Sequence, residues 1–389
     1  MNLFASSPNL ALSGANVLLA NVLDRASMLG HTAKWLVTSH VGESDASWIG
    51  AKHLEFGSIP PTAIRSVAER QKHLLNAIHL NQPCVYFPNY DFDMLWVAEA
   101  LPEPCRIVFI VHSDDPAYYK AIVQRGHVMD AILCVSSYLS TEVKSRWPPL
   151  ASKVHHIPFG VDSIAAGIIN KPSLQNGPLE VAYCGRLASE QKRIYDLSAI
   201  ILSCYSQGLP IRFHIAGSGP DQDIFFRDLG EPINAGMVVC NGQLSNVAVR
   251  ALLQRSHAFI LTSEYEGLPV SLLEAMASAC VPVVTAVKSG IPEVIKHGVN
   301  GFMLPIGDIR SFVSCLTALA ENPLYCLTIG CRARETISFA NYSLDSCAAS
   351  YIDLCITLLG SERAAPKRKQ PGLPPQYRII NRIVSKFTN

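Results

Sequence analysis

Apolar residues recur along this chain in two ways. Some form short continuous runs of strand length, and others return every three or four positions, as on one face of a helix. A turn over residues 9–14 comes first. After it, Val17, Leu18, Val22, Leu23 and Leu29 line a helix that Gly30-His31 closes, and Ala33-Lys34-Trp35-Leu36-Val37 reads as a strand. That is a βαβ unit. Residues 106–111 and 131–135 read as buried strands, each ending in polar residues at the carboxyl edge where parallel sheets take ligands. A less patterned stretch, 163–178, reads as a linker. The alternation resumes at Leu179, includes a buried strand at Cys280-Val281-Pro282-Val283-Val284, runs to about Ile306, and gives way to helices. Two halves of this kind predict an α/β fold with two doubly wound parallel sheets, similar only as architectures, since no short-period repeat is present. The domains expected are 1–162, the linker 163–178, a second domain over 179–345, a helix over 346–361 able to cross back to the first domain, and a tail over 362–389.

Composition adds limits. With 389 residues the chain holds roughly two to three domains' worth of core. Its apolar share is 49%, yet no apolar run approaches the roughly 18 residues of a membrane span. Ser6, Ser7, Pro8 and Asn9 interrupt the N-terminus early, unlike a secretory signal, so a cytoplasmic location is the expectation. Twelve cysteines sit mostly singly inside apolar runs, and the closest pair, Cys326 and Cys331, has no His or Cys at ligand spacing; they read as reduced core residues, with no metal expected.

Net charge is +1 overall but uneven, with +6 on residues 362–389 and −5 on the rest. No nucleic-acid partner is expected. The tail begins as a Pro- and Lys-rich linker and ends with Ile380, Ile383, Val384 and Phe387 on one helical face and Arg378, Arg382 and Lys386 on another. Such a segment can lie peripherally on an anionic inner-membrane surface or simply face water.

Candidate chemistry concentrates at Glu266-Gly267-Leu268-Pro269-Val270-Ser271-Leu272-Leu273-Glu274, where two carboxylates eight residues apart bracket a Gly-Pro turn and a helix start. A loop opening a helix presents backbone N–H groups to an anionic diphosphate. Carboxylates suit polyols, because an ionised Glu only accepts and a hydroxyl always has a proton to give. Glu274, about two turns into the helix, would serve ribose hydroxyls, and Glu266 on the loop a sugar. The plainer reading is two surface carboxylates placed at a helix N-terminus by its dipole.

This spacing resembles the E-x7-E motif of the retaining glycosyltransferases of family GT4. The likeness continues in Tyr183-Cys184-Gly185-Arg186-Leu187 with Lys192, in Ala216-Gly217-Ser218-Gly219-Pro220, in Asn241-Gly242-Gln243-Leu244 and in Ser289-Gly290-Ile291-Pro292-Glu293. It covers residues from about 13 to 305. His156-Ile157-Pro158-Phe159-Gly160-Val161-Asp162 is similar to the strand that closes the family's first domain.

The resemblance implies the GT-B fold, two Rossmann-like domains facing across a cleft. It also implies transfer of a sugar, with retention of configuration, from a nucleoside-diphosphate sugar to a sugar, glycan or lipid-linked acceptor, in polysaccharide or glycoconjugate synthesis. The donor's base and ribose would meet Leu244 and Glu274, its diphosphate Arg186 and Lys192 beside the Gly217 loop, and its sugar Glu266 and the 267–270 stretch of Gly267, Leu268, Pro269 and Val270. Ser13 and Gly14 would approach the diphosphate. His112, after the 106–111 strand, matches a His the family places near the donor sugar, where it would donate to a hydroxyl. The fixed cations would make a divalent metal unnecessary, leaving no cofactor. Two other readings follow from the same residues, a nucleotide-sugar epimerase and a catalytically silent sugar-nucleotide binder. A nicotinamide or flavin oxidoreductase fares poorly, because no strand leads into G-x-G-x-x-G.

Overall fold

The computed structural model describes residues 1–11, 13–39, 53–59, 66–162, 171–175, 177–340 and 342–361. Most of the expected linker, residues 163–170 and 176, and the basic tail 362–389 lie outside them. The chain forms two compact units. The first comprises Met1–Val135, Leu139–Ile157 and the segment from Cys347, and the second Ser136–Tyr138 and Pro158–Ser346.

The first unit is built on a seven-stranded parallel sheet. Its strands are β1 (Asn2–Ser7), β2 (Thr32–Val37), β3 (Glu55–Ser58), β4 (Cys84–Pro88), β5 (Arg106–Val111), β6 (Ala131–Cys134) and β7 (Val154–His156), in the order 3-2-1-4-5-6-7. All six residues of β5 are buried, as a strand covered on both faces requires. The helix Gly14–Met28 returns from β1 to β2 with Val17, Leu18, Val22 and Leu23 inward. It stops one residue short of the apolar pattern: Leu29 is its C-terminal cap and stands exposed, and Gly30, at φ +84°, turns the chain away.

The second unit has a six-stranded parallel sheet, with β8 (Leu179–Cys184), β9 (Ile211–Ala216), β10 (Val238–Gly242), β11 (Ala258–Leu261), β12 (Val281–Thr285) and β13 (Phe302–Leu304) in the order 10-9-8-11-12-13. In each sheet the strand order reverses once, between β1 and β4 and between β8 and β11. Open α/β sheets bind ligands at such switch points, outside the carboxyl ends of the strands.

Two boundaries differ from the sequence expectation. The strand expected over 156–162 is β7, three residues ending at His156, and the first unit stops at Ile157 instead of Asp162. Pro158–Asp162 goes with the second unit because Val161 N donates to Tyr342 O at 2.9 Å, Leu344 N returns a bond to Val161 O, and Asp162 forms an ion pair with Arg250. The last helix, Leu344–Gly360, buries Cys347, Ala348, Tyr351, Ile352 and Cys355 at helical spacing. Its end is tied to the first unit by Arg106, whose Nε and Nη2 donate to Leu358 O and Ser361 O, both at 2.8 Å.

All twelve cysteines are free thiols, and nine are buried. Among the described residues no single helix is long and apolar enough to cross a membrane; the pair Ile309–Glu321 and Pro323–Phe339, bent by 108°, is so only when joined.

Candidate active site

The loops that leave β8 and β11 stand on either side of the second unit's switch point, and side chains lace them together. After β8 the chain passes Arg186, makes one helical turn at Ser189–Lys192, and reverses through Arg193 at φ +46°. From the other side, Thr262 Oγ1 donates to Lys192 O at 2.8 Å, Glu264 N to Gln191 O at 2.8 Å, and Gln191 Nε2 to Tyr265 O at 3.3 Å. Arg193 Nη1 closes the lattice on Glu264 Oε2 at 2.7 Å. These bonds deliver Lys192 Nζ to 2.5 Å from Glu266 Oε1, which also accepts from Ser263 Oγ at 2.6 Å. Both members of the pair are largely out of solvent, at 15% and 7% side-chain exposure, so the ion pair is screened far less than a surface one.

Glycine lets backbones approach here. Gly217, at φ +144°, lies so close under the β8 loop that a Cβ would sit 1.9 Å from Gly185 O, and one on Gly219 would sit 2.2 Å from Leu187 O. On the far side, Gly290 N donates to Gly267 O at 2.5 Å, which fixes the Gly267-Leu268 turn from beneath.

The helix of the E-x7-E stretch is Val270–Ala277, entered from Pro269, which brings no side-chain cap. Glu274 therefore stands about one turn into it, not two, because the Gly-Pro turn takes up the residues before Val270. It is half-buried, and burial pushes its carboxyl up to about 7, opposed by the positive charge of Arg250 and aided by Asp162. Leu244 is half-exposed in the loop after β10, before the helix Asn246–Arg255 that Ser245 caps. Arg186 is exposed, and its Nη2 lies 3.5 Å from Gln191 Oε1.

In the first unit, Ser13 caps the helix Gly14–Met28, accepting from Asn16 N at 3.2 Å. His112 follows β5 and is buried; its Nε2 is 2.8 Å from Asn89 Oδ1, and burial pulls its imidazole down to about 3, so the ring is neutral. Asp115 caps the next helix, accepting from Ala117 N at 2.8 Å. The aromatics of 87–93 are partly core: Phe87 is buried, and Phe92 packs edge-on against Tyr118 at 5.3 Å between centroids.

Of the residues expected from sequence, Lys192 and Glu266 touch directly, Gly217 lies against the β8 loop, and Gly267 is braced by the Gly290 loop. Ser13, Gly14 and His112 form a separate set on the first unit. Sequence reasoning missed Ser263, Arg250, Asp162, Asn16 and Asn89. The last two are buried amides whose importance is a matter of partners, and no spacing signals that.

A family profile described as "Glycosyltransferase Family 4" matches residues 12–163, and one described as "Glycosyl transferases group 1" matches residues 178–322. The chain belongs to the GT4 glycosyltransferase family. Among sequence relatives of this GT4 chain, the putative colanic acid biosynthesis glycosyltransferase WcaL of Salmonella typhimurium is 28% identical over 229 residues, covering 57% of this chain and 54% of the relative. The chain thus spans about half the length of this curated relative. Two solved structures share the fold. The pneumococcal O-GlcNAc transferase GtfA, in complex with UDP and GlcNAc, aligns with a TM-score of 0.77 at 11% identity, covering 93% of this chain and 99% of that one. Anabaena HepE, in complex with UDP, aligns with a TM-score of 0.70 at 16% identity, covering 92% and 99%. The GT4 chain has the GT-B fold of two Rossmann-like domains.

Proposed function

We propose that this chain moves a sugar from a nucleoside-diphosphate sugar to the hydroxyl of a sugar, glycan or lipid-linked acceptor, with retention of configuration, in the synthesis of a cell-surface polysaccharide or glycoconjugate. The observation that carries this reading is the buried Lys192–Glu266 pair at the switch point of the second sheet. A cation that can pass from Glu266 to a diphosphate, next to a carboxylate that can serve a sugar, is the pair of functions the donor needs. UDP in the two structural relatives makes uridine diphosphate sugars the first donors to try.

Arg186, Lys192 and the N-terminus of helix Val270–Ala277 would balance the negative charge that grows on the departing diphosphate, where preorganised donors accelerate most. Gly267 and Leu268 would offer backbone groups to the sugar, Glu266 a carboxylate to its hydroxyls, Leu244 and Val270 apolar contact, and Pro269 the entry angle of the helix. To the first unit's Ser13, Gly14 and His112 we assign contact with the same donor. The departing diphosphate oxygen takes the acceptor's proton on the face where the new bond forms, a route that needs no dedicated base. A panel of nucleotide sugars screened by thermal shift tests the function: the true donor raises the melting temperature by mass action, and a panel with no stabiliser contradicts the proposal.

With fixed cations doing this charge work, no divalent metal is required. Transfer is expected to persist in excess chelator. Complete loss, restored by magnesium or manganese, would overturn the metal-free reading.

Glu274 gives a pH-linked expectation. Burial pushes its carboxyl up from the usual 4.5 to about 7. Ribose hydroxyls donate only to the ionised form's advantage, so nucleotide binding lowers this value and expels a proton at and below neutral pH. Affinity should therefore rise as pH increases through 7 and level off above it. Calorimetry in buffers of different ionisation enthalpy should count a fraction of a proton released near pH 7, and none in Glu274→Gln.

A further inference from the structure

Three buried amide and imidazole groups join the loop before helix Gly14–Met28 to the end of β5, across the switch point of the first sheet. Asn16 Nδ2 lies 2.8 Å from Ala11 O and 3.4 Å from Asn9 O, and 2.8 Å from the Tyr90 hydroxyl. Backbone carbonyls only accept, so this atom must be the NH2 end of the amide. The other end, Asn16 Oδ1, then only accepts, and it lies 2.9 Å from Asn89 Nδ2. That fixes the second amide in turn. Asn89 Oδ1 is left facing His112 Nε2 at 2.8 Å, and an oxygen with no proton can pair only with a ring nitrogen that has one. The polarity of the whole chain is thus dictated from its far end by two carbonyls of the loop that precedes Ser13 and Gly14. Asn16 and Asn89 are fully or almost fully buried, so water does not compete for these bonds.

The geometry points to Asn16 and Asn89 as positioning residues that hold His112 as the neutral tautomer protonated on Nε2, with Nδ1 an acceptor. The consequence for the reaction rests on the proposed role of His112 beside the donor sugar. A ring whose only proton is committed to Asn89 cannot donate to a sugar hydroxyl, as the sequence suggested, but can only accept from one. His112 in this form selects a hydroxyl, which carries a proton, over a group that only accepts. Tyr118, whose ring meets the imidazole edge-on at 6.1 Å between centroids, supports the orientation without supplying charge.

The test is two-bond proton–nitrogen correlation NMR of the full chain labelled with 15N-histidine, the His112 signals being assigned from their loss in His112→Gln. The wild-type protein should show a single neutral ring between pH 5.5 and 8, pyrrole-like at Nε2 and pyridine-like at Nδ1. A proton on Nδ1, a mixture, or titration within that window overturns the inference. In Asn89→Leu, which keeps the volume and removes both bonds, His112 should show both tautomers, and kcat should fall roughly tenfold or more with KM changed less. Asn89→Asp should give His112 a positive charge near neutral pH, because the carboxylate faces the ring and has no proton for Asn16. A persistent single Nε2–H tautomer in Asn89→Leu removes Asn89 as its cause, and a lost tautomer with unchanged kcat removes its role in transfer. Failure of the wild-type chain to bind any nucleotide sugar would instead sink the proposed function, while the wild-type spectrum would still decide the tautomer. Should Asn89→Leu not fold, the wild-type and Asn89→Asp spectra carry the same decision.

Discussion

Glu266→Gln is expected to lower kcat by about two orders of magnitude while leaving the affinity for the nucleoside diphosphate undiminished or slightly increased. The two halves of that result have one cause. Lys192 Nζ is committed to Glu266 Oε1 at 2.5 Å, and Ser263 holds the carboxylate in place. An amide of the same shape keeps the packing but removes the anion, which frees Lys192 for phosphate and takes negative charge away from the sugar that changes most in the transition state. Lys192→Ala should do the reverse. It deletes a charge-assisted contact to the diphosphate, worth about 1.5–3 kcal/mol, and leaves Glu266 buried without its cation, so affinity should fall about ten- to a hundredfold and stability should drop as well. Steady-state kinetics and titration calorimetry on both variants separate the effects. Full turnover in Glu266→Gln with a donor it still binds would remove Glu266 from the chemistry.

Gly217→Ala should produce the largest loss of stability of any single methyl group in the second unit. The position combines φ +144°, which alanine rarely adopts, with a Cβ that would lie 1.9 Å from Gly185 O and 2.9 Å from Gly185 C. The obstacle is backbone, which cannot swing aside as a side chain can. Relief requires parting the β8 and β9 loops, whose bonds Gly185 N to Ala216 O, at 3.0 Å, and Gly217 N to Gly242 O, at 2.7 Å, hold the strand ends in register. A cost of about 3 kcal/mol or more is expected, and with it a fall of roughly 10 °C in the unit's melting temperature. Gly236→Ala is the control. Its φ of +74° is unfavourable too, but nothing lies within 4 Å of the added atom, so its penalty should be backbone strain alone and clearly smaller. Equal melting temperatures for the two variants would show that the loops are not packed as described.

The strands were readable because a parallel sheet covered on both faces needs runs of apolar residues, and Arg106–Val111 and Leu179–Cys184 bury every position. Helix Gly14–Met28 was readable from its periodicity and from Gly30, whose positive φ ends it. What periodicity could not show was where a polar side chain finds its partner. Asn16 is a poor helix residue on propensity, and its burial is explained by its partners, the carbonyls of Asn9 and Ala11 that turn back over it, the Tyr90 hydroxyl and Asn89. Asp162 looked like the end of a domain. It belongs to the second unit because Arg250, 88 residues later, holds it there. The E-x7-E spacing located Glu266 and Glu274, yet their environments differ in a way spacing does not encode: one is paired with Lys192, and the other is held near its titration point by burial.

Whether the edge between β8 and β11 receives the donor's diphosphate is decided by calorimetric titration of the wild-type chain, Arg186→Ala and Lys192→Ala with uridine diphosphate, or with whichever nucleoside diphosphate the thermal-shift panel selects. A single site is expected in the wild type, weakened at least about tenfold by either substitution while the unliganded folds persist. Wild-type affinity retained in both variants would contradict this, and would place the nucleotide away from the Lys192–Glu266 pair.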